Sequence, residues 1–231
     1  MFGRARRSLA FWLVVALTAL AAIEVSIAAL TAGGTSPGAP AAAFPPVLPA
    51  GTALVKPLAR LPLVDEQGRH TSLAAFRGRW LVLAPSLTLC HEVCPLTTGA
   101  LMALQARLRA EGLGRRVVVA EATVDPWRDS PARIRAFKRL TGTTLRFLTG
   151  SRAEIHALWP ALGVAYRRVP QDKPPDVDWW THKPETFDVE HTDGVFIVDP
   201  RGRLRVAVLG MPALGSRLPR RLSRLLNHQG R

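Results

Sequence analysis

Both cysteines of the chain, Cys90 and Cys94, lie in the stretch TLCHEVCPLT, three residues apart, with Pro95 directly after. A bridge between them would close a very short loop and restrict the unfolded chain little, so this spacing argues for chemistry more than for stapling. Pro95 suits a first helical position, which puts Cys94 at a helix N-terminus and Cys90 on the loop before it. The partial positive charge at such a terminus favours thiolate, the species that attacks disulfides and also the one that binds metals. Disulfide exchange and metal binding therefore start from the same geometry, and an oxidised structural pair stays open beside them. Two thiolates alone suit linear Cu(I), whereas a structural zinc site wants four protein ligands, so a third donor would discriminate. His191, in FDVEHTDGVFIVD, stands at the mouth of an apolar strand from which a side chain could point back to the cysteine loop. Its position alone equally fits an ordinary hydrogen-bonded histidine. His91, inside the cysteine loop, could ligate or face solvent, and His70, His156, His182 and His228 have no chemical context.

The elements that must position these residues are legible as a rhythm. LPLVDEQGRHTSL reads as a strand, a turn at Gln67-Gly68 and a return, and RWLVLAPSL as a central strand running into the cysteine loop. Leu101, Leu104 and Leu108 then recur at helical spacing until Gly112. RRVVVAEATVD supplies a strand, and DSPARIRAFKRL a helix with Asp129 or Ser130 as cap and Pro131 in its first turn. LRFLTG is again a strand and SRAEIHALWPALG a capped helix. Alternation of this kind predicts an α/β fold with a mainly parallel sheet covered by helices. PQDKPPDVDWWTHKPET, residues 170–186, reads as a long loop of the kind that borders sites. VFIVDPRGRLRVAVLG predicts a hairpin, and LPRRLSRLLNH a closing helix with a basic face.

The ends of the 231-residue chain bound where this domain works. Arg4, Arg6 and Arg7 precede a run that is uncharged from Ser8 to Ile23, the pattern of a membrane-inserting segment, and residues 1–30 read as an N-terminal anchor helix or a signal sequence. Residues 31–51, rich in Pro, Ala and Gly and without charge, read as a tether, and residues 52–231 as one domain with its own core. The expected location of that domain is the extracytoplasmic, periplasmic side of a membrane. Net charge is +14, with only four lysines among the 31 basic residues, which suits either an arginine-favouring genome or docking on an acidic partner or anionic headgroups. Nucleic acid is disfavoured as a partner, since an exported chain does not meet it and no base-reading motif is present.

Four stretches, in order, resemble the Sco/SenC family of copper-binding, thioredoxin-like cytochrome c oxidase assembly proteins. TLCHEVCP matches the family's Thr-x-Cys-x-x-x-Cys-Pro loop, and TVDPWRDSP its Val-Asp-Pro-x-Arg-Asp-Thr/Ser-Pro segment. FLTGSRAEI with LGVAYRRVP is similar to its next strand-helix-strand, and VEHTDGVFIVDPRGRL to the stretch bearing its histidine ligand. The resemblance, over roughly residues 55 to 226, implies a thioredoxin-like fold with a mixed central sheet flanked by helices. It implies that Cys90 and Cys94 are copper ligands and redox partners, that His191 is the third ligand, and that the cargo is Cu(I) or Cu(II). The partner it implies is the copper-accepting subunit of cytochrome c oxidase, with another copper donor upstream. This describes a metallochaperone rather than an enzyme; the alternative is a thiol-disulfide oxidoreductase in which Cys90 and Cys94 are catalytic and reduce the acceptor's cysteines. A peroxidase would need an activated cysteine beside a threonine or arginine, for which Thr88 is slim support. Asp125 and Asp129 match family positions and are expected to form a turn and a helix cap, with an influence on the site as the lesser alternative. The chain departs from the family pattern in having His91 where proline is common, and the Trp-containing stretch 170–186 has no clear counterpart.

Overall fold

The computed structural model describes residues 52–54, 56–90, 94–171, 173–209 and 222–226, so the expected anchor, the tether, His91, His228 and most of the closing helix lie outside the described residues. Phe44–Arg231 forms one compact unit. In chain order the elements are α1 (Lys56–Ala59), β1 (Leu63–Asp65), β2 (His70–Thr71), a 3-10 turn (Leu73–Phe76), β3 (Trp80–Ser86) and α2 (Cys94–Ala110). There follow β4 (Val117–Thr123), α3 (Pro131–Thr141), β5 (Arg146–Thr149), α4 (Arg152–Ala161), β6 (Tyr166–Val169), β7 (Asp188–His191), β8 (Gly194–Val198) and β9 (Leu204–Leu209).

Seven strands make one sheet in the order β2-β1-β5-β4-β3-β8-β9, and β6 and β7 pair separately. The alternating rhythm alone predicts a mainly parallel sheet; the observed sheet is mixed, as the family resemblance implies. Only β3/β4 and β4/β5 run parallel, while the β1/β2, β1/β5, β3/β8 and β8/β9 pairs are antiparallel. The reason is local: helical crossovers join the three central strands, whereas tight turns at Gly68 and Gly202, both with positive φ, return β1 and β8 as hairpins. Among the described residues, no helix is long and apolar enough to cross a membrane.

β3 is apolar on both faces because both are covered. Leu81 and Leu83 face a cluster with Leu148, Ile155, Leu158, Trp159 and Phe196. Trp80, Val82 and Ala84 face the other, with Leu101, Leu104 and Leu108 of α2 and Val119. Burying such side chains on two faces supplies about 25 cal/mol per Å² and ties β3 into both halves of the core. The helices begin where their caps dictate. Ser130, not Asp129, caps α3, its hydroxyl accepting from Arg133 N–H, with Pro131 in the first turn; Asp129 is freed for another task. Ser151 and Glu154 form a capping box on α4.

One buried residue of β4 breaks the apolar pattern. Glu121 has no exposed surface, and its Oε1 accepts a 2.6 Å hydrogen bond from Thr98 Oγ1 of α2. Its Oε2 has no partner among the described residues. Burial outweighs the Thr98 bond and raises its pKa from 4.5 to about 7. The folded state therefore keeps a proton that the unfolded chain releases, and the contribution to stability is complete below 4.5 and lost as pH rises through about 7. Glu121→Gln, which cannot ionise, is expected to gain stability relative to the parent between about pH 5 and about pH 8, by up to about 3 kcal/mol. Urea midpoints of both proteins at the two pH values check this; an unchanged gap would show that Glu121 is already ionised in the fold.

Candidate metal centre

The cysteine loop leaves β3 at Ser86, and α2 begins at Cys94. Cys94 is 2% exposed and belongs to the core cluster, whereas Cys90 is half-buried and packs against it. Both are unbridged thiols. The Cys94 backbone N–H, at the helix N-terminus, donates to Cys90 Sγ at 3.2 Å, an arrangement that favours thiolate at Cys90. At Cys94 the effect is opposite. Its hydrogen bond with Cys90, together with burial, pushes the Cys94 thiol well above its ordinary pKa. The two sulfurs thus differ in character, one half-exposed and activated, the other buried and holding its proton.

His191 comes from elsewhere in the chain, at the end of β7, where it pairs with Tyr166 of β6. Its Nε2 lies 3.5 Å from Cys94 Sγ, and its Nδ1 lies 3.3 Å from the Thr192 carbonyl. Burial disfavours its charged form, yet hydrogen bonds with Cys90 and the Thr192 carbonyl and the nearby Asp193 carboxylate outweigh that and raise its pKa. Cys90, Cys94 and His191 are therefore mutual neighbours in space. Among the described residues no three His, Cys, Asp or Glu side chains stand at ready-made coordination spacing, so loading an ion would exchange these thiol and imidazole contacts for bonds to it. The donor types fit a soft or borderline transition metal: two sulfurs and one imbedded imidazole whose other nitrogen is already held by a carbonyl.

What brings the histidine strand to the cysteine loop is a bracket of buried polar groups between β4 and α3. Asp129 accepts from Thr88 Oγ1 and Thr123 Oγ1, both at 2.6 Å, and faces the Thr88 amide at 3.3 Å. It therefore holds the loop two residues before Cys90. Burial and the neighbouring Asp125 raise its pKa to about 7, despite those bonds and Arg133. Arg133 Nε donates to Thr88 Oγ1 at 2.7 Å, and its terminal nitrogens make a two-pronged pair with Asp178 at 2.9 Å each. Trp179 Nε1 donates to the Thr88 carbonyl at 2.8 Å. Arg128 pairs with Asp125, reaches Glu185 at 3.1 Å and the Phe187 carbonyl at 3.0 Å, and lies over the Phe187 ring. Stretch 170–186 is thus the connection of the β6–β7 hairpin, folded back and clamped to the cysteine loop, and His191 ends the strand that returns from it.

Sequence reasoning singled out Cys90, Cys94 and His191, and the fold places them together. It did not find Arg128, Arg133, Asp178, Glu185 or Trp179. The available signal was Arg133 among the apolar positions of α3, where a charge demands a buried partner. Asp125 forms the expected turn, its carbonyl accepting from the Arg128 and Asp129 amides. Thr88, the slim support for a peroxidase, has its hydroxyl engaged by Asp129 and Arg133. His70, His156 and His182 stay outside the cluster.

An α/β domain that gathers two thiols and one imidazole at the end of its central strand has the donor types for a soft metal or for disulfide exchange. More particularly, the chain belongs to the SCO1/SenC family, which it matches over residues 58–215. A Stutzerimonas stutzeri protein provisionally named as copper-binding is 29% identical over 146 residues, 63% of this chain and 66% of the relative. The mitochondrial SCO2 homologue of Bos taurus is 29% identical over 140 residues, 61% of this chain and 49% of the relative. The chain thus spans just under two thirds of the first relative and about half of the second. Among solved structures, Arabidopsis thaliana ScoI with copper bound superposes with a TM-score of 0.60 at 20% identity, covering 72% of this chain and 95% of that one. Yeast Sco1 with copper bound gives 0.55 at 21% identity, covering 71% and 84%. At these identities the superpositions establish the shared fold.

Because Arg133 and Asp178 are buried together, removing one partner strands the other's charge. In the fold the bonds from Arg133 and the Trp180 and Thr181 amides overcome burial and hold Asp178 at a pKa of about 2. Asp178→Ala is expected to lower unfolding stability at neutral pH by about 3–5 kcal/mol, measured by denaturant titration. A loss within about 0.5 kcal/mol, the range of ordinary surface changes, would remove the bracket from this account.

Proposed function

We propose that the chain is a copper chaperone that binds copper through Cys90, Cys94 and His191 and delivers it to the copper-accepting subunit of cytochrome c oxidase. In this reading residues 1–30 anchor it in a membrane, residues 31–51 tether it, and residues 52–231 work on the periplasmic side, supplied by another copper donor. The observation that carries the reading is the convergence of the three donors from two separate segments, with Cys94 Sγ 3.5 Å from His191 Nε2 and Cys90 bonded to both neighbours. The donor set suits cargo more than permanent storage. Thiolates favour Cu(I), and an imidazole lets the same site accept Cu(II). Cys90, half-buried, is the donor an incoming or outgoing partner can reach, while Cys94 and His191 hold the ion from the protein side. Both thiols surrender protons on loading, and the elevated pKa of Cys94 makes that release the step most sensitive to acid. Membership of the SCO1/SenC family and the copper named for its relatives support the same cargo.

A second reading is favoured by one specific contact. The Cys94 amide on Cys90 Sγ is what a disulfide-exchanging cysteine needs, an activated half-exposed nucleophile with a buried resolving thiol beside it. As a reductase, the chain would donate two electrons from the Cys90/Cys94 dithiol to an acceptor's disulfide, become the intramolecular disulfide, and leave the acceptor's thiols free for metal.

His191 separates the two readings. Residues 44–231, reduced and loaded anaerobically with Cu(I) or Cu(II), are expected to take up near-equimolar copper and to show a thiolate-to-Cu(II) charge-transfer band. Copper uptake and the band should vanish in the Cys90→Ser/Cys94→Ser double variant, and His191→Ala should weaken affinity by at least about tenfold. Failure to retain copper in either state, with fast disulfide exchange that survives His191→Ala, would sink the chaperone reading and leave the reductase.

A further inference from the structure

The two ends of the sheet carry different charge. The candidate metal centre sits where β3, β4 and β5 end. At the edge where those strands begin, Arg79 precedes β3, Arg115 and Arg116 precede β4, and Arg109 lies in the last turn of α2, all exposed. None of the four is paired with a carboxylate among the described residues. Arg77 and Arg139 stand exposed on the same edge, also without a carboxylate partner among the described residues. The acids there are committed: Asp65 to Arg69, Glu66 to Lys138, Glu111 to Arg107 and Asp199 to Arg203. Complementing the helix C-termini accounts for Arg109 and Arg139, and Arg77 caps the 3-10 turn, but Arg79, Arg115 and Arg116 lie beyond the last turn of any helix. Two open clefts of about 310 and 250 Å³ on this edge share Arg79 and Arg146, of which Arg146 is engaged by Asp65 and Glu66 and Arg79 has no carboxylate partner among the described residues. Near the metal centre, by contrast, Arg128 is paired with Asp125 and Glu185, Arg133 with Asp178 and Arg167 with Glu190.

The chain also enters the domain at the arginine edge. Leu54 N–H donates to the Gly202 carbonyl at 3.0 Å and Leu204 N–H to the Thr52 carbonyl at 2.9 Å, while Gly78 N–H on the Pro200 carbonyl ties this hairpin beside the start of β3. The described chain therefore begins, at Thr52, on the side where these arginines are. We propose that this arginine edge docks on an anionic phospholipid surface, so that the metal centre, the length of β3 or about 20 Å away, faces outward from the membrane. The proposal rests on the membrane-anchored reading above, and it deepens it: anchoring alone leaves the domain free to tumble, while the charged edge fixes which end partners meet. Each arginine held near an anionic surface adds attraction that salt screens within a Debye length.

The test uses residues 44–231 without copper, so it is blind to the outcome of metal loading. Co-sedimentation with vesicles of phosphatidylcholine alone is compared with vesicles containing about 30% phosphatidylglycerol, at about 0.1 M and about 0.5 M salt. Binding is expected only to the anionic vesicles and only at the lower salt. Replacing Arg79, Arg109, Arg115 and Arg116 together by glutamine should cut it by at least about tenfold. An equal charge loss at the other end, Arg152, Arg167, Lys173 and Lys183 to glutamine, should leave most of it. All eight residues are exposed, so melting temperatures near the parent's are expected, and the lipid and salt arms need no variant. No preference for anionic vesicles, or equal loss from the two sets of substitutions, would overturn the proposal. Capture of polyglutamate but not of vesicles would also overturn it, pointing to an acidic protein in place of the membrane.

Discussion

Asp129 and Thr88 form the contact on which the site depends. Thr88 lies two residues before Cys90, in a loop with no ladder of its own, and its backbone and hydroxyl are held by a carboxylate with no exposure to solvent. The same hydroxyl accepts from Arg133, and the same residue's carbonyl accepts from Trp179. A buried polar cluster of this kind is stabilising only when its members are satisfied together, which makes the geometry of the cysteine loop all-or-none rather than graded. Asp129 is available because Ser130 takes the capping role at α3.

From that contact the bracket extends to the histidine. Arg128 and Arg133 leave opposite ends of a short segment and grip Glu185, Phe187 and Asp178, so one turn between β4 and α3 holds both halves of the candidate centre. The aromatic groups fill the space around the ion pairs: Arg133 lies over Trp179, and Trp127 packs between Tyr166 and Phe187. A two-stranded ribbon is marginal by itself. Clamped in this way, β6 and β7 deliver His191 to the sulfurs although they share no ladder with the main sheet.

The asymmetry of the cysteine pair and the asymmetry of the molecule point the same way. Within the site, the activated half-exposed sulfur is Cys90 and the buried protonated one is Cys94. Across the domain, the ion pairs of Arg128, Arg133 and Arg167 stand near the centre, and arginines without a carboxylate partner among the described residues collect at the far edge. Both arrangements present one reactive group at one end of the molecule, which is what handing an ion or a pair of electrons to a partner requires.

Much of this was legible in the residues themselves. Apolar runs such as RWLVLAPSL, caps such as Ser130 and Ser151, and glycines such as Gly68 and Gly202 specify their elements through local sterics and hydrogen bonds, which sequence spells out directly. The cysteine spacing with Pro95 likewise fixes a thiol at a helix start, and four ordered stretches identify the family. The flanking hairpins were legible from their turns, but the pairing of β1 with β5 and of β3 with β8 was not, because strand order depends on which distant edges find each other. Nor was the bracket. Arg133 with Asp178 and Asp129 with Thr88 are partners 45 and 41 residues apart, and only burial in one low-dielectric pocket turns such charges from surface decoration into obligatory pairs. Only the tertiary structure decided that the loop with the tryptophan pair closes on the cysteines and that Arg79, Arg109, Arg115 and Arg116 gather opposite them.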